Sequence, residues 1–246
     1  MKKLVGYITA AFPDKNFTID LAFKLAESGV DTIELGIPFS DPVADGPVIE
    51  QANLLALQNG FKLADLFEIS QKIGPKIDTL WMGYMNPFYH KGFEFFLQEA
   101  KKYEISGMII PDLPHEEAKK YKPLFEQYDK NLIEFIAPTD SQERIHELAQ
   151  NAKKFIYLVA YAGITGSAKE ENLDNIIANI KQISKTPVYI GFGVDEKTAK
   201  QKAQSVDGVI VGSAFVKYLI DDSLSNSEKI SKICKSAQII KNEINS

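Results

Sequence analysis

From one end to the other, short apolar runs rich in β-branched residues alternate with longer amphipathic stretches. That rhythm constrains the chain to βα units arrayed on a parallel sheet. Eight runs read as strands: Leu4 to Thr9, Asp31 to Gly36, Thr79 to Tyr84, Gly107 to Pro111, Leu132 to Ala137, Phe155 to Ala160, Pro187 to Gly191 and Gly208 to Gly212. The stretches between them carry helical periodicity. Phe17 to Ser28 places Phe17, Leu21, Leu25 and Ala26 on one face, and Gly92 to Tyr103 does the same with Phe93, Phe96, Leu97 and Ala100. No Ser-, Pro- or Gly-rich linker breaks the pattern, so residues 1–246 read as one domain. Eight units in 246 residues predict a closed (β/α)₈ TIM barrel of the α/β class. An open doubly wound sheet would more often show a glycine-rich fingerprint after its first strand, and here Ala10-Ala-Phe-Pro13 follows instead. Polar Asp221 to Glu228 reads as a surface loop before a last helix, Lys229 to Ile244.

Charge and cysteine usage exclude several function classes. With 28 basic and 33 acidic residues, net charge −5, the chain lacks the basic surface that tracks nucleic-acid phosphates. The single Cys234 forms no internal disulfide or cysteine zinc cluster, and on an apolar helix it reads as core. The opening lysines and apolar run resemble a signal peptide, but Pro13, Asp14 and Lys15 cut the run short. No uncharged stretch approaches the roughly 20 residues that span a bilayer. A soluble cytoplasmic protein is expected, with no membrane or nucleic-acid partner. His90, His115 and His146 lack metal-ligand spacing and read as surface or packing residues, so no metal site is predicted.

In a barrel the reacting groups sit at the C-terminal ends of strands and in the loops that follow. Glu34 lies near the end of the second strand. If Ile33 and Leu35 face the helices, alternation points Glu34 into the barrel mouth, where burial raises its pKa. That is the profile of a general acid or base; the alternative is a structural carboxylate paired with a lysine. The following loop, Ile37 to Pro47, is stiffened by prolines and carries two more carboxylates. Asp41, before Pro42, reads as a turn residue, and Asp45, before Gly46, as the one that touches a ligand.

Glycine-containing turns follow the last two predicted strands, Gly191-Phe-Gly193 and Gly212-Ser213. Their backbone amides can approach an anion closely, which suits a phosphate; ordinary turn chemistry is the alternative. Lysine and arginine are absent from Gly191 to Val194 and from Val211 to Val216, so backbone dipoles must supply the neutralisation. Ala160 to Ser167 is a run of small residues suited to a lid, with Thr165 and Gly166 placed to meet a carboxylate and a phosphate.

Together these segments resemble the tryptophan synthase alpha subunit family. The run Glu34-Leu-Gly-Ile-Pro-Phe-Ser-Asp-Pro-Val-Ala-Asp-Gly-Pro47 is similar to the family's signature around its two catalytic carboxylates. Further matches are Tyr7-Ile-Thr-Ala10, Gly83-Tyr-Met-Asn-Pro87, Pro111-Asp-Leu-Pro114, Ala137-Pro-Thr139, Gly163-Ile-Thr-Gly166, Gly191-Phe-Gly193 and Gly212-Ser213.

The resemblance implies retro-aldol cleavage of indole-3-glycerol phosphate to indole and glyceraldehyde 3-phosphate. Glu34 falls on the family's general acid/base, and Asp45 on the aspartate that accepts the indole N–H. Tyr157 and Thr165 match its site tyrosine and lid threonine. Gly166, Gly193, Gly212 and Ser213 match its phosphate-binding backbone, and Tyr7, Met82, Ile109 and Phe192 its apolar indole contacts. It also implies an α₂β₂ heterotetramer with a beta subunit that receives the indole. Pyridoxal phosphate is expected in that partner and no cofactor in this chain.

Tyr161 stands where many relatives carry a lid arginine, and the chain starts almost at its first strand, so the final helix is expected to help close the barrel's bottom. Two other readings compete: another phosphate-binding barrel enzyme acting on a sugar or glycerol phosphate, and an inactive activator of a partner enzyme. The paired Glu34 and Asp45 argue against both.

Overall fold

The computed structural model of the chain describes residues 1–159 and 170–246. In chain order the elements are β1 (Lys3–Thr9), α1 (Lys15–Glu27), β2 (Thr32–Gly36), α2 (Pro47–Gln58), α3 (Leu63–Ile73), β3 (Thr79–Met82), α4 (Met85–Lys91), α5 (Phe93–Lys102), β4 (Gly107–Ile109), α6 (His115–Ala118) and α7 (Lys122–Gln127). They continue with β5 (Asn131–Leu132), β6 (Glu134–Ile136), α8 (Gln142–Asn151), β7 (Ile156–Val159), α9 (Glu170–Ile183), β8 (Val188–Gly191), α10 (Ala199–Lys202), β9 (Gly208–Val211), α11 (Ser213–Leu219) and α12 (Asn226–Glu243).

All strand pairs are parallel, in the order β5-β4-β3-β2-β1-β9-β8-β7-β6. The two ends of that order are neighbours in sequence, separated by Ile133 alone. The fifth predicted strand, Leu132 to Ala137, is therefore split. Its first half pairs with β4 and its second with β7, and the switch of partner at Ile133 joins the two ends of the sheet into a (β/α)₈ TIM barrel.

Local sequence explains where the helices start. Asp14 caps α1 by accepting from the Phe17 amide at 2.9 Å. α12 begins at Asn226, earlier than its apolar pattern suggests, because Ser225 and Glu228 form a reciprocal capping box. Its Lys241 pairs with Asp31 and donates to the Lys2 carbonyl at 3.1 Å, so the final helix clasps the N-terminal ends of β1 and β2. Cys234 is half-buried rather than core, because α12 turns it to the edge of its apolar face, and burial raises its thiol pKa. No helix of the described residues is long and apolar enough to cross a membrane.

Candidate active site

Strand register sets the site. Tyr7 of β1 is the partner of Glu34 of β2, and one step nearer the mouth Gly36, Met82 and Ile109 lie side by side across β2, β3 and β4. Ile33 and Leu35 are fully buried against the helices, and Glu34 points inward as alternation requires, 3% exposed. Burial, reinforced by the charge of Asp45, raises the Glu34 carboxyl from 4.5 to about 8. Among the described residues no lysine forms an ion pair with Glu34.

Asp45 hangs over the same space from the loop after β2. Burial raises its carboxyl from 3.8 to about 6, held back by hydrogen bonds from Tyr84 and Asn53. The loop is shaped by two short turns, Val43 N–H to Asp41 C=O at 2.9 Å and Asp45 N–H to Pro42 C=O at 2.9 Å. Asp41 is exposed and does the turn work its sequence suggests. Tyr84, just past β3, pins the loop: its hydroxyl accepts from Ala44 N–H at 3.1 Å, and its ring stacks on Phe39 at 5.4 Å. Asn53, buried in α2, donates to Asp45 at 3.3 Å.

Sequence reasoning missed the roles of Tyr84 and Asn53. The available signal for Tyr84 was its place at the end of a strand; Asn53 had only helical spacing from Asp45.

Tyrosine rings enclose the carboxylates. Glu34 and Asp45 both raise the pKa values of Tyr7 and Tyr157, on top of burial, so all four groups share one low-dielectric space. Two glycines make room for these rings. A Cβ on Gly36 would lie 2.2 Å from the Tyr7 hydroxyl, and one on Gly191 would lie 2.3 Å from Tyr157 Cε1. Phe135 stacks on Tyr157 at 4.8 Å and Phe192 meets it edge-on at 6.3 Å. Met82 and Ile109 are buried; Phe192 is 40% exposed at the rim.

The predicted phosphate residues Gly193, Gly212 and Ser213 lie where β8 and β9 end. Gly193 has a positive φ of 65°. Gly212 begins α11 without a side-chain cap, and Ser213 is exposed as its first residue. Thr165, Gly166 and Tyr161 lie outside the described residues. His90 and His146 are exposed, and His115 is buried with its Nδ1 3.0 Å from Glu134, a packing role. Among the described residues no group of three or more His, Cys, Asp or Glu is placed to hold a metal ion.

Chemically, two carboxyls with raised and unequal pKa values face one aromatic-lined space, Glu34 from β2 and Asp45 from the loop that follows it, beside a rim of backbone amides. Such a site can give a proton to one atom of a flat substrate while stabilising positive charge on another.

Comparison with known proteins gives the same direction. The sequence profile of the family described as "Tryptophan synthase alpha chain" matches residues 1–245. A tryptophan synthase alpha chain from Wolinella succinogenes is 60% identical over 247 residues, covering 100% of this chain and 97% of the relative. The solved tryptophan synthase subunit alpha from Legionella pneumophila superposes with a TM-score of 0.89 at 32% identity, covering 99% of this chain and 93% of that one. The subunit from Campylobacter jejuni gives 0.87 at 32% identity, covering 97% and 95%. With a matched profile along almost its whole length and the barrel those structures share, this chain belongs to the tryptophan synthase alpha chain family.

Proposed function

We propose that Glu34 and Asp45 divide between them the cleavage of indole-3-glycerol phosphate to indole and glyceraldehyde 3-phosphate. What carries this is the placement of Glu34, buried on β2 opposite Tyr7, and of Asp45, held over it by Asn53, with burial raising the two carboxyls unequally, to about 8 and about 6. Near pH 7 Glu34 holds its proton and Asp45 does not. Retro-aldol cleavage needs the indole ring to become an electron sink. Glu34 delivers its proton to the ring carbon that bears the glycerol chain, while Asp45 accepts the ring N–H and stabilises the cation that forms. Glu34, now a carboxylate, takes the proton from the neighbouring glycerol hydroxyl as the carbon–carbon bond breaks, and is restored to its starting state. Tyr7, Met82, Ile109, Tyr157 and Phe192 provide the walls for the ring. Amides of Gly166, Gly193, Gly212 and Ser213 hold the phosphate without placing a cation beside Glu34.

The same reading makes residues 1–246 one domain and gives it a partner. Val43, 81% exposed on the loop that carries Asp45, and Tyr89, 73% exposed on α4, put apolar surface on the rim of the mouth. We assign that rim to a beta subunit in an α₂β₂ assembly, which receives the indole and carries the pyridoxal phosphate. A Thr165 hydroxyl bonded to Asp45 would tie occupancy of the site to closure of the lid.

The test is release of indole from indole-3-glycerol phosphate by the purified chain, alone and with beta subunit. Slow release alone and faster release with partner is expected; no release in either condition would refute the assignment.

Tyr84 provides an independent check on Asp45. Its hydrogen bond lowers the Asp45 pKa, so Tyr84→Phe should raise it and move the acid limb of the pH profile upward. Loss of one hydrogen bond to a charged group predicts a fall of about tenfold in kcat/KM at neutral pH. A variant with an unmoved acid limb would show that Tyr84 does not set the protonation of Asp45.

A further inference from the structure

The turn after β8 has two consecutive residues with positive φ, Phe192 at 72° and Gly193 at 65°. Glycine takes that conformation freely, whereas an aromatic residue takes it only where its surroundings impose it. Here the restraint acts on carbonyl oxygens. Lys202 Nζ, at the end of α10, donates to Phe192 C=O at 2.8 Å. Thr198 Oγ1, just before α10, lies 2.8 Å from Gly193 C=O and 3.0 Å from Asp195 Oδ1, and its one proton serves both. Asp195 locks Thr198 in turn by accepting the backbone N–H groups of Lys197 and Thr198, each at 2.9 Å.

A trans peptide is planar, with its C=O and N–H directed oppositely. Drawing Phe192 C=O toward Lys202 in the outer helical layer therefore turns Gly193 N–H the other way, toward the mouth. Drawing Gly193 C=O toward Thr198 does the same for Val194 N–H. Neither amide has a protein acceptor among the described residues. Gly191 to Val194 itself carries no lysine or arginine. A lysine does reach this turn, from ten residues further on, but it is bound to the carbonyl end of the peptide.

We propose that Lys202 is a positioning residue that sets phosphate affinity by aiming the Gly193 amide at the anion. The proposal rests on the assignment of Gly193 to phosphate binding. It makes a distinct claim, that a lysine acts on a dianion through the far end of a peptide group rather than by contact.

The experiment uses the full chain as wild type, Lys202→Met and Lys202→Arg. It measures the Kd for inorganic phosphate by calorimetry at about 0.1 M and about 1 M sodium chloride, together with KM and kcat for indole-3-glycerol phosphate. At 1 M salt the Debye length is only about 3 Å, so a general charge effect fades while an orienting hydrogen bond persists. Lys202→Met should weaken phosphate binding about tenfold, the scale of one charge-assisted hydrogen bond. That ratio should hold at both salt concentrations. KM should rise in step with the phosphate Kd while kcat stays within about twofold of wild type, and Lys202→Arg, which can still donate to the carbonyl, should recover most of the loss.

A phosphate Kd in Lys202→Met equal to wild type would overturn the proposal. So would a ratio that collapses at high salt, or a loss confined to kcat. If phosphate binding shows the expected pattern but wild type cleaves no indole-3-glycerol phosphate, the assigned reaction fails and the role of Lys202 stands. If wild type releases indole yet binds no phosphate, the reaction stands and the role of Lys202 falls.

Discussion

Glu34→Gln is expected to lower kcat by about 10³-fold with KM nearly unchanged, within the range usual for a general acid–base group. The amide keeps the volume and the place opposite Tyr7, so the barrel and the ring pocket remain, but it has no proton to give to carbon and cannot take one from the glycerol hydroxyl. Stability supplies a second, independent readout. The Glu34 carboxyl sits at about 8 in the folded chain against an ordinary 4.5. Because the folded value is the raised one, its contribution to stability is fully present below about 4.5 and is lost as pH rises through about 8. Glu34→Gln removes that dependence, so the variant should gain stability relative to wild type as pH rises from 5 to 9. Chemical denaturation across that range measures it. Near-normal turnover would remove Glu34 from the chemistry, and a stability difference independent of pH would show that its carboxyl is not raised.

Asp45→Asn should cost about 10² to 10³-fold in kcat, the scale seen when a group that stabilises transition-state charge is lost. Asparagine retains an oxygen that can accept from Tyr84 and from the indole N–H, so binding should fall only modestly. What disappears is the negative charge that meets the developing indolenine cation in a pocket where little water screens it. Single-turnover measurement of indole release separates the two contributions. A large rise in KM with unchanged kcat would make Asp45 a binding group only.

Most of the barrel was legible because each strand advertises itself by composition and each helix by its apolar face. The exception is instructive. Leu132 to Ala137 is one apolar run by sequence, yet it must serve two neighbours that diverge as the barrel closes, and the switch of partner at Ile133 answers that global demand. Glu34 was readable from alternation within a five-residue strand, a purely local rule. Asp45 needed only its loop. Tyr84 and Asn53, which hold Asp45, were not readable, since their contacts join β3 and α2 to a loop and depend on where the strands end. Lys202 was hidden for the same reason, acting across a helix start on a carbonyl whose sequence neighbours carry no charge.

The division of labour between the two carboxyl groups is tested most directly by the pH dependence of kcat/KM for indole-3-glycerol phosphate, which reports the free enzyme's essential acid and base. Activity should fall below about 6, as Asp45 gains a proton and its charge is lost. It should fall again above about 8, as Glu34 loses the proton it must deliver. Asp45→Asn should abolish the acid limb and leave the alkaline one. A bell with limbs near those two values, and only the alkaline limb in Asp45→Asn, is the predicted result. A profile that keeps rising through pH 9, or an acid limb that survives in Asp45→Asn, would contradict it.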